Sequence, residues 1–511
     1  MKIFCVILEN FIFIKYTRRM KELKFSHKFF PFIGKHSFFI VLIILFAWLF
    51  FYHLGSTSLG SWDEAWYGSI TREMIKNGDY IHLNWNGKPF YDHPPMGFWL
   101  MAASYKIFGV SEFSTRFPSA ILGLFTILFI YLLGKKISKE KIVGFGAALI
   151  LGTSVWYVIR VRSGNLDSIF LFFYVSTIYF GLLAKEKMKW FPVCMAFFGG
   201  LIMSKTLVGA SALPILLAIL IPEFIKIKRN LKWILIGFTT FFAIVFPWYW
   251  IHYKTYSDFI QHHFFDIGSR SKSFDSYFKL QYQLPLFYLH MGIRKWYYLW
   301  IISAGYLILF CRFLKRNIFI LLLWNVVILY PFLTTDQTSI WHLIPVYAPL
   351  ALVISYGFWD MGLLFLKLLQ SFKITHFKKL KLLNKNLLKF GYLCGFLFIV
   401  FLQIKTFYPE VFPQNIYIPD DVDISMKVSR YPQKIYLDDD YLPLAVFYSN
   451  RFMNQMAYES EDRRTLVKLF KNEKESFVVI TRNWAVDNLM KNNLSFKILE
   501  QNDSFSIVTK P

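Results

Sequence analysis

Eleven nearly charge-free apolar runs govern what this chain can become: roughly 38–54, 118–134, 142–159, 168–184, 190–204, 207–224, 233–251, 296–311, 317–334, 342–359 and 388–404. Each approaches the ~20 mostly apolar residues that carry a helix across a bilayer. There the helix satisfies its own backbone N–H and C=O groups, which lipid cannot. The runs predict an α-helical polytopic membrane protein of about 11 spans. Composition agrees where it bears on the point. Of the 511 residues, 56% are hydrophobic and 17% charged, against about 25% charged in an average soluble domain. The same balance excludes a disordered, collagen-like or disulfide-stapled chain. Cys5, Cys194, Cys311 and Cys394 are scattered, with no metal-like spacing, and read as inert thiols.

A formal net charge of +25 raises nucleic acid as a partner, and the placement of the charge removes it. Basic residues fall in alternate gaps: Lys15 to Lys35 before the first run, Lys135 to Lys141, Lys185 to Lys189, Lys226 to Lys232, Arg312 to Arg316, and Lys367 to Lys389. The positive-inside rule puts these gaps in the cytoplasm. The first run is longer than a signal-peptide core and no small-residue cleavage site follows it, so it reads as an anchor. Eleven crossings from a cytoplasmic N-terminus leave the C-terminal segment outside. Abundant Lys, Ile, Phe and Asn fit a prokaryotic plasma (inner) membrane.

The chain then divides into a basic cytoplasmic N-terminus (1–37), a transmembrane domain (38–406) with extracytoplasmic loops 55–117 and 252–290, and a tail (407–511). The tail has an ordinary soluble composition. Within it Lys434 to Leu437 and Phe477 to Ile480 read as strands, 440–449 and 461–471 as helices, and Phe496 to Leu499 with Phe505 to Val508 as a closing hairpin. A small extracytoplasmic α/β domain is expected.

The predicted spans are nearly free of charge at mid-depth, which argues against ion-coupled transport. Unusual polar groups gather instead at the outer ends. They are Asp63-Glu64, Asp92-His93-Pro94-Pro95, Arg160-Val161-Arg162 with Asp167, Ser204-Lys205, His262-His263 with Asp266 and Arg270, and Trp341-His342. Each has a plain structural reading. An acidic pair suits a first helical turn, Pro suits a helix start, arginines snorkel to headgroups, and interfacial loops hold histidines. Convergence on one face is the informative feature. Arg162, Lys205 and Arg270 suit a phosphate at headgroup depth. A nearby carboxylate suits proton abstraction or a divalent cation. A lipid-linked phosphosugar offers both an apolar tail and an anionic leaving group.

Several stretches carry a resemblance. Trp62-Asp63-Glu64-Ala65-Trp66-Tyr67, Thr71-Arg72-Glu73-Met74, Gly78-Asp79-Tyr80, Tyr91-Asp92-His93-Pro94-Pro95 and Arg116-Phe117-Pro118 are joined by Arg162-Ser163, Ser204-Lys205, Phe246-Pro247-Trp248 and Ile344-Pro345-Val346-Tyr347. Over roughly 38–360 the chain resembles the polyprenyl-phosphate-sugar-dependent membrane glycosyltransferases of the C-type fold. The bacterial branch related to protein O-mannosyltransferases and to the lipid A aminoarabinose transferase is the most similar. The resemblance implies an inverting transfer of a sugar from an undecaprenyl or dolichyl phosphate donor to an extracytoplasmic acceptor, whether protein, lipid or cell-envelope glycan. It makes Asp63, Glu64 and Asp167 catalytic and gives Arg162, Lys205 and Arg270 the carrier phosphate. His93 and His342 stand where many relatives have a basic residue, so donor contacts there become pH-dependent. Asp92 and His263 match positions that hold a divalent metal in some relatives; the metal is allowed and not required. An oligosaccharide ligase and a non-enzymatic transporter of lipid-linked glycans stay open as alternatives.

Overall fold

The computed structural model describes residues 26–224, 227–269, 280–310, 312–334, 338–371, 385–412, 416–456 and 465–511. Arg270, Cys5, Cys311 and most of the first and last basic clusters lie outside these residues. Every one of the eleven apolar runs falls on helix. By length and composition, Glu112–Ser138, Asp167–Glu186, Arg229–Thr255, Arg316–Leu333, Ile340–Gln370 and Lys385–Val411 are long enough to cross a membrane. A bent pair, Lys141–Gly152 with Val155–Val161, makes a seventh. The other four runs are the shorter apolar helices His36–Phe51, Met188–Ile202, Val208–Ile221 and Trp296–Leu309. About 11 spans were expected, and among the described residues six or seven helices meet the length requirement. Among the shorter ones, at ~1.5 Å per residue the 14 residues of Trp296–Leu309 reach about 21 Å of the ~30 Å hydrocarbon thickness.

The 73° bend inside the third run positions the site. At the break, the Thr153 and Ser154 hydroxyls donate to the carbonyls of Leu149 (2.6 Å) and Ile150 (2.8 Å), four residues back. Such back-bonding competes with the helical ladder and favours a kink. A new helix, Val155–Val161, starts in another direction and carries Arg160 toward the first loop. Large side chains fill the bundle core around it, with Phe46, Phe50, Tyr157, Trp296 and Tyr347 all under 2% exposed.

Secondary structure crosses the expected boundaries in several places. The first helix, Ser26–Phe51, starts inside the segment expected as 1–37. Glu112–Ser138 begins before 117, Ile227–Thr255 ends after 252, and Lys385–Val411 runs past 406. In each case polar residues at a helix end continue the hydrogen-bond ladder beyond the apolar run that marks it. The first loop holds helices Asp63–Asn77 and Met96–Phe108 and, between them, a hairpin of β1 (Leu83–Trp85) and β2 (Lys88–Phe90). Its turn residues Asn86 and Gly87 both have positive φ, 49° and 77°, as a two-residue hairpin turn requires.

The tail is an α/β domain. Strands β3 (Lys434–Leu437), β4 (Asn454–Gln455), β5 (Phe477–Arg482), β6 (Lys497–Gln501) and β7 (Phe505–Thr509) form one sheet in the order β4-β3-β5-β7-β6. β3 is parallel to β4 and β5, and β7 is antiparallel to β5 and β6. The expected strands and hairpin are present, as are helices Leu442–Ser449 and Leu466–Asn472. Helices Asp420–Val428 and Asn483–Lys491 and the short β4 were not foreseen. The domain docks on the first loop. The Arg72 guanidinium donates to the carbonyls of Phe447 (2.7 Å) and Val446 (3.0 Å), Asn86 exchanges two bonds with Met453, and Leu59 and Ala65 enter the domain's core.

Candidate active site

Asp63 and Asp167 each open a helix, Asp63–Asn77 and Asp167–Glu186, where the N-terminal partial charge favours a carboxylate. Between them stands Arg160. Its Nη2 donates to Asp63 Oδ2 at 2.5 Å, and its Nε donates to Asp167 Oδ2 at 2.7 Å. Lys205 Nζ takes the other Asp167 oxygen, Oδ1. The Arg160 guanidinium also lies 5.8 Å from the Trp341 ring centroid. Three stretches far apart in sequence, at Asp63, Arg160 to Asp167, and Lys205, thus meet at two carboxylates and two cations. The acids are unequal: the Asp63 side chain is 32% exposed and that of Asp167 5%. Among the described residues, Asp63 Oδ1 has no hydrogen-bond partner. Tyr67 is buried beside both acids, and burial with their negative charge pushes its phenol well above the usual range, so it stays protonated. His93 packs edge-on against Tyr67 at 6.1 Å.

Glu64 faces the opposite way from its neighbour. It accepts from Arg116 Nε (2.8 Å) and Nη2 (3.0 Å), from Gly60 N (2.8 Å) and from Gly164 N (2.7 Å). Burial alone would raise its pKa; the Arg116 guanidinium and these donors more than offset that and hold it at about 2. Arg116 in turn donates to the carbonyls of Leu54, Thr57 and Ser58. Gly164 is required here: a Cβ would lie 2.6 Å from Thr115 Cγ2 and push the N–H away from Glu64. The staple fixes the first loop to the turn that leads from Arg160 to Asp167. Asn165 completes that turn, donating to the Arg160 carbonyl (2.6 Å) and accepting from Asp167 N (2.8 Å).

The remaining expected residues are dispersed. Arg162 turns away from the carboxylates and donates to the carbonyls of Leu49 (2.9 Å) and Phe50 (3.2 Å). Two residues along a helix are about 200° apart, so Arg160 and Arg162 cannot share a face. Arg160, absent from the expected set, takes the central place. Helical phase was the signal that would have found it. His342 accepts from Ser339 N at 3.0 Å in the turn before Ile344–Ser371. Asp92 meets His262 (Nε2 to Oδ1, 2.7 Å), while the buried His263 bonds the Tyr91 carbonyl (2.8 Å) and packs on Phe259. Burial draws the His263 imidazole below its usual range, so it stays neutral. Among the described residues, no group of three or more His, Cys, Asp or Glu side chains converges as a metal site would need. Asp92 and His263 take different partners and are not brought together as a ligand pair.

Comparison with known proteins supports the same architecture. The family described as Dolichyl-phosphate-mannose-protein mannosyltransferase matches residues 92–251. An undecaprenyl phosphate-alpha-4-amino-4-deoxy-L-arabinose arabinosyl transferase of Yersinia enterocolitica is 26% identical over 375 residues, 70% of this chain and 64% of that protein. An uncharacterized protein of Aquifex aeolicus is 33% identical over 141 residues, 28% of each chain. The chain therefore aligns with well under two thirds of some of its relatives' lengths. Crystal structures of ArnT from Cupriavidus metallidurans, apo and bound to undecaprenyl phosphate, superpose with TM-scores of 0.69 and 0.64 at 17% identity, covering 93% of this chain and 98% of that one. The oligosaccharyltransferase AglB from Archaeoglobus fulgidus follows at 0.51 and 15%, covering 82% of this chain and 64% of AglB. The chain has the polytopic fold of these membrane glycosyltransferases and is related in sequence to the aminoarabinosyl and mannosyl transferases.

Proposed function

We propose that this protein, sharing its fold with glycosyltransferases that use lipid-linked donors, transfers a sugar from a polyprenyl phosphate to a hydroxyl-bearing acceptor on the outer face of the plasma membrane. The observation that carries the reading is Arg160 held between Asp63 and Asp167, with Lys205 on the far oxygen of Asp167. The structure of ArnT with undecaprenyl phosphate supports the donor class.

One in-line displacement suits the geometry. The acceptor oxygen forms a bond to the anomeric carbon, and the bond from that carbon to the phosphate oxygen breaks. Its electron pair leaves with the polyprenyl phosphate. Asp63 takes the acceptor proton on Oδ1, the oxygen Arg160 leaves open. Lys205 and Arg160 face the departing phosphate, and both are fixed beforehand by the buried Asp167, so little reorganisation accompanies charge development. Asp167 acts through them as a positioning residue, and Glu64 does the same through Arg116. The anomeric configuration of the product, read by NMR from a donor of known configuration, tests the single displacement. Inversion is expected, and net retention overturns it.

A further inference from the structure

A cavity of about 610 Å³ lies behind the catalytic face, where the first long helix, the Arg160–Asp167 turn and the last long helix end together. Arg162 forms part of its wall. The guanidinium is anchored through Nη1 to the Leu49 and Phe50 carbonyls, which cap the helix Ser26–Phe51, and lies 4.6 Å from the Phe412 ring centroid. A guanidinium carries five N–H donors. Those on Nε and Nη2 have no hydrogen-bond partner among the described residues.

The charge count isolates Arg162. Two carboxylates line the cavity, and each has its own arginine: Glu64 is chelated by Arg116, and Glu410 by Arg294 Nη2 at 2.6 and 2.8 Å. Among the described residues, no carboxylate lies within salt-bridge distance of Arg162. A half-buried cation without a counter-charge is costly unless an anion joins it. The hydroxyls of Ser56, Thr57 and Ser163 line the polar side of the cavity, and Tyr52, Tyr408 and Phe412 the apolar side. A planar fork of donors beside hydroxyls fits a phosphate, and the aromatic wall fits the chain attached to it.

We infer that this cavity is a second anion site, which holds the phosphate of an amphiphilic lipid on Arg162, separate from the donor phosphate at Lys205. The inference does not depend on transfer at Asp63, because binding is read without any sugar donor.

The test uses the full-length protein in a zwitterionic detergent, titrated with radiolabelled dihexanoyl phosphatidic acid, with inorganic phosphate and dihexanoyl phosphatidylcholine as competitors. Saturable phosphatidic acid binding is expected, weakened about tenfold in Arg162→Gln, largely kept in Arg162→Lys, and retained in Lys205→Ala, which removes only what binds at the donor phosphate position. Because Arg162 also caps a helix, Ser163→Leu is a second variant that crowds the cavity with Arg162 in place, and it should weaken binding as well. Full displacement by inorganic phosphate at concentrations matching the lipid's would make this a free-anion site and overturn the lipid assignment. Unchanged binding in Ser163→Leu and in folded Arg162→Gln, or loss in Lys205→Ala alone, would overturn the site itself.

Discussion

Replacing Glu64 by Gln should weaken the protein far more than replacing Asp63, although the two are neighbours in the same first helical turn. The Glu64 carboxylate is 9% exposed and accepts four hydrogen bonds, two from Arg116 and two from the backbone of Gly60 and Gly164. It is held at about 2 against an ordinary 4.5. At about 1.4 kcal/mol per tenfold in proton affinity, that corresponds to about 3 kcal/mol. A broken buried pair costs about 3–5 kcal/mol by direct comparison, because the surviving charge stays buried. Glu64→Gln is isosteric, so packing is kept, but Arg116 loses its counter-charge and the Gln NH2 faces two N–H donors where a carboxylate oxygen accepted from both. The depressed carboxyl also fixes a pH window. Its contribution is complete above about 4.5, the unfolded value, and disappears as pH falls through about 2. Unfolding of wild type and variant in SDS–detergent mixtures at pH 7 measures the loss directly. Glu64→Gln together with Arg116→Gln should recover part of it, as a double-mutant cycle requires of a coupled pair. A loss below about 1 kcal/mol, or strictly additive single variants, would refute the staple.

Three further outcomes follow from the same geometry. Asp63→Asn should lower transfer by about a hundredfold or more while changing stability by less than about 1 kcal/mol, since its carboxylate is part-exposed; unfolding and transfer assays on one preparation check both. Asp167→Asn should lose activity and also stability, by about 3 kcal/mol, because Arg160 and Lys205 both lean on a 5% exposed carboxylate. Arg72→Ala should loosen the C-terminal domain by about 1–3 kcal/mol, seen as faster proteolysis between the last long helix and β3, because two charged bonds to Phe447 and Val446 disappear.

The parts of this structure that were legible in the sequence are those set by local pattern. The apolar runs mark helices because a charge-free stretch has one stable form in lipid. In the tail, the short apolar runs rich in β-branched and aromatic residues, Phe477 to Ile480 and Phe505 to Val508, mark buried strands. What escaped was direction. Asp63 and Glu64 are adjacent, and adjacent helical side chains diverge by about 100°, so one opens to the site and the other locks onto Arg116. The same geometry separates Arg160 from Arg162 and His262 from His263. The kink at Thr153-Ser154 sets which arginine faces the carboxylates, and the two side-chain bonds that accompany it have no run-length signature.

The proposed transfer from a lipid phosphosugar depends on Asp63 as the acceptor-facing base. Its most direct test offers membranes bearing wild type or Asp63→Ala a panel of radiolabelled polyprenyl-phosphate sugars, with envelope fractions supplied as acceptor. Labelled product from wild type alone is the predicted result and also identifies the donor. Equal product from both would contradict the account and remove Asp63 from the chemistry.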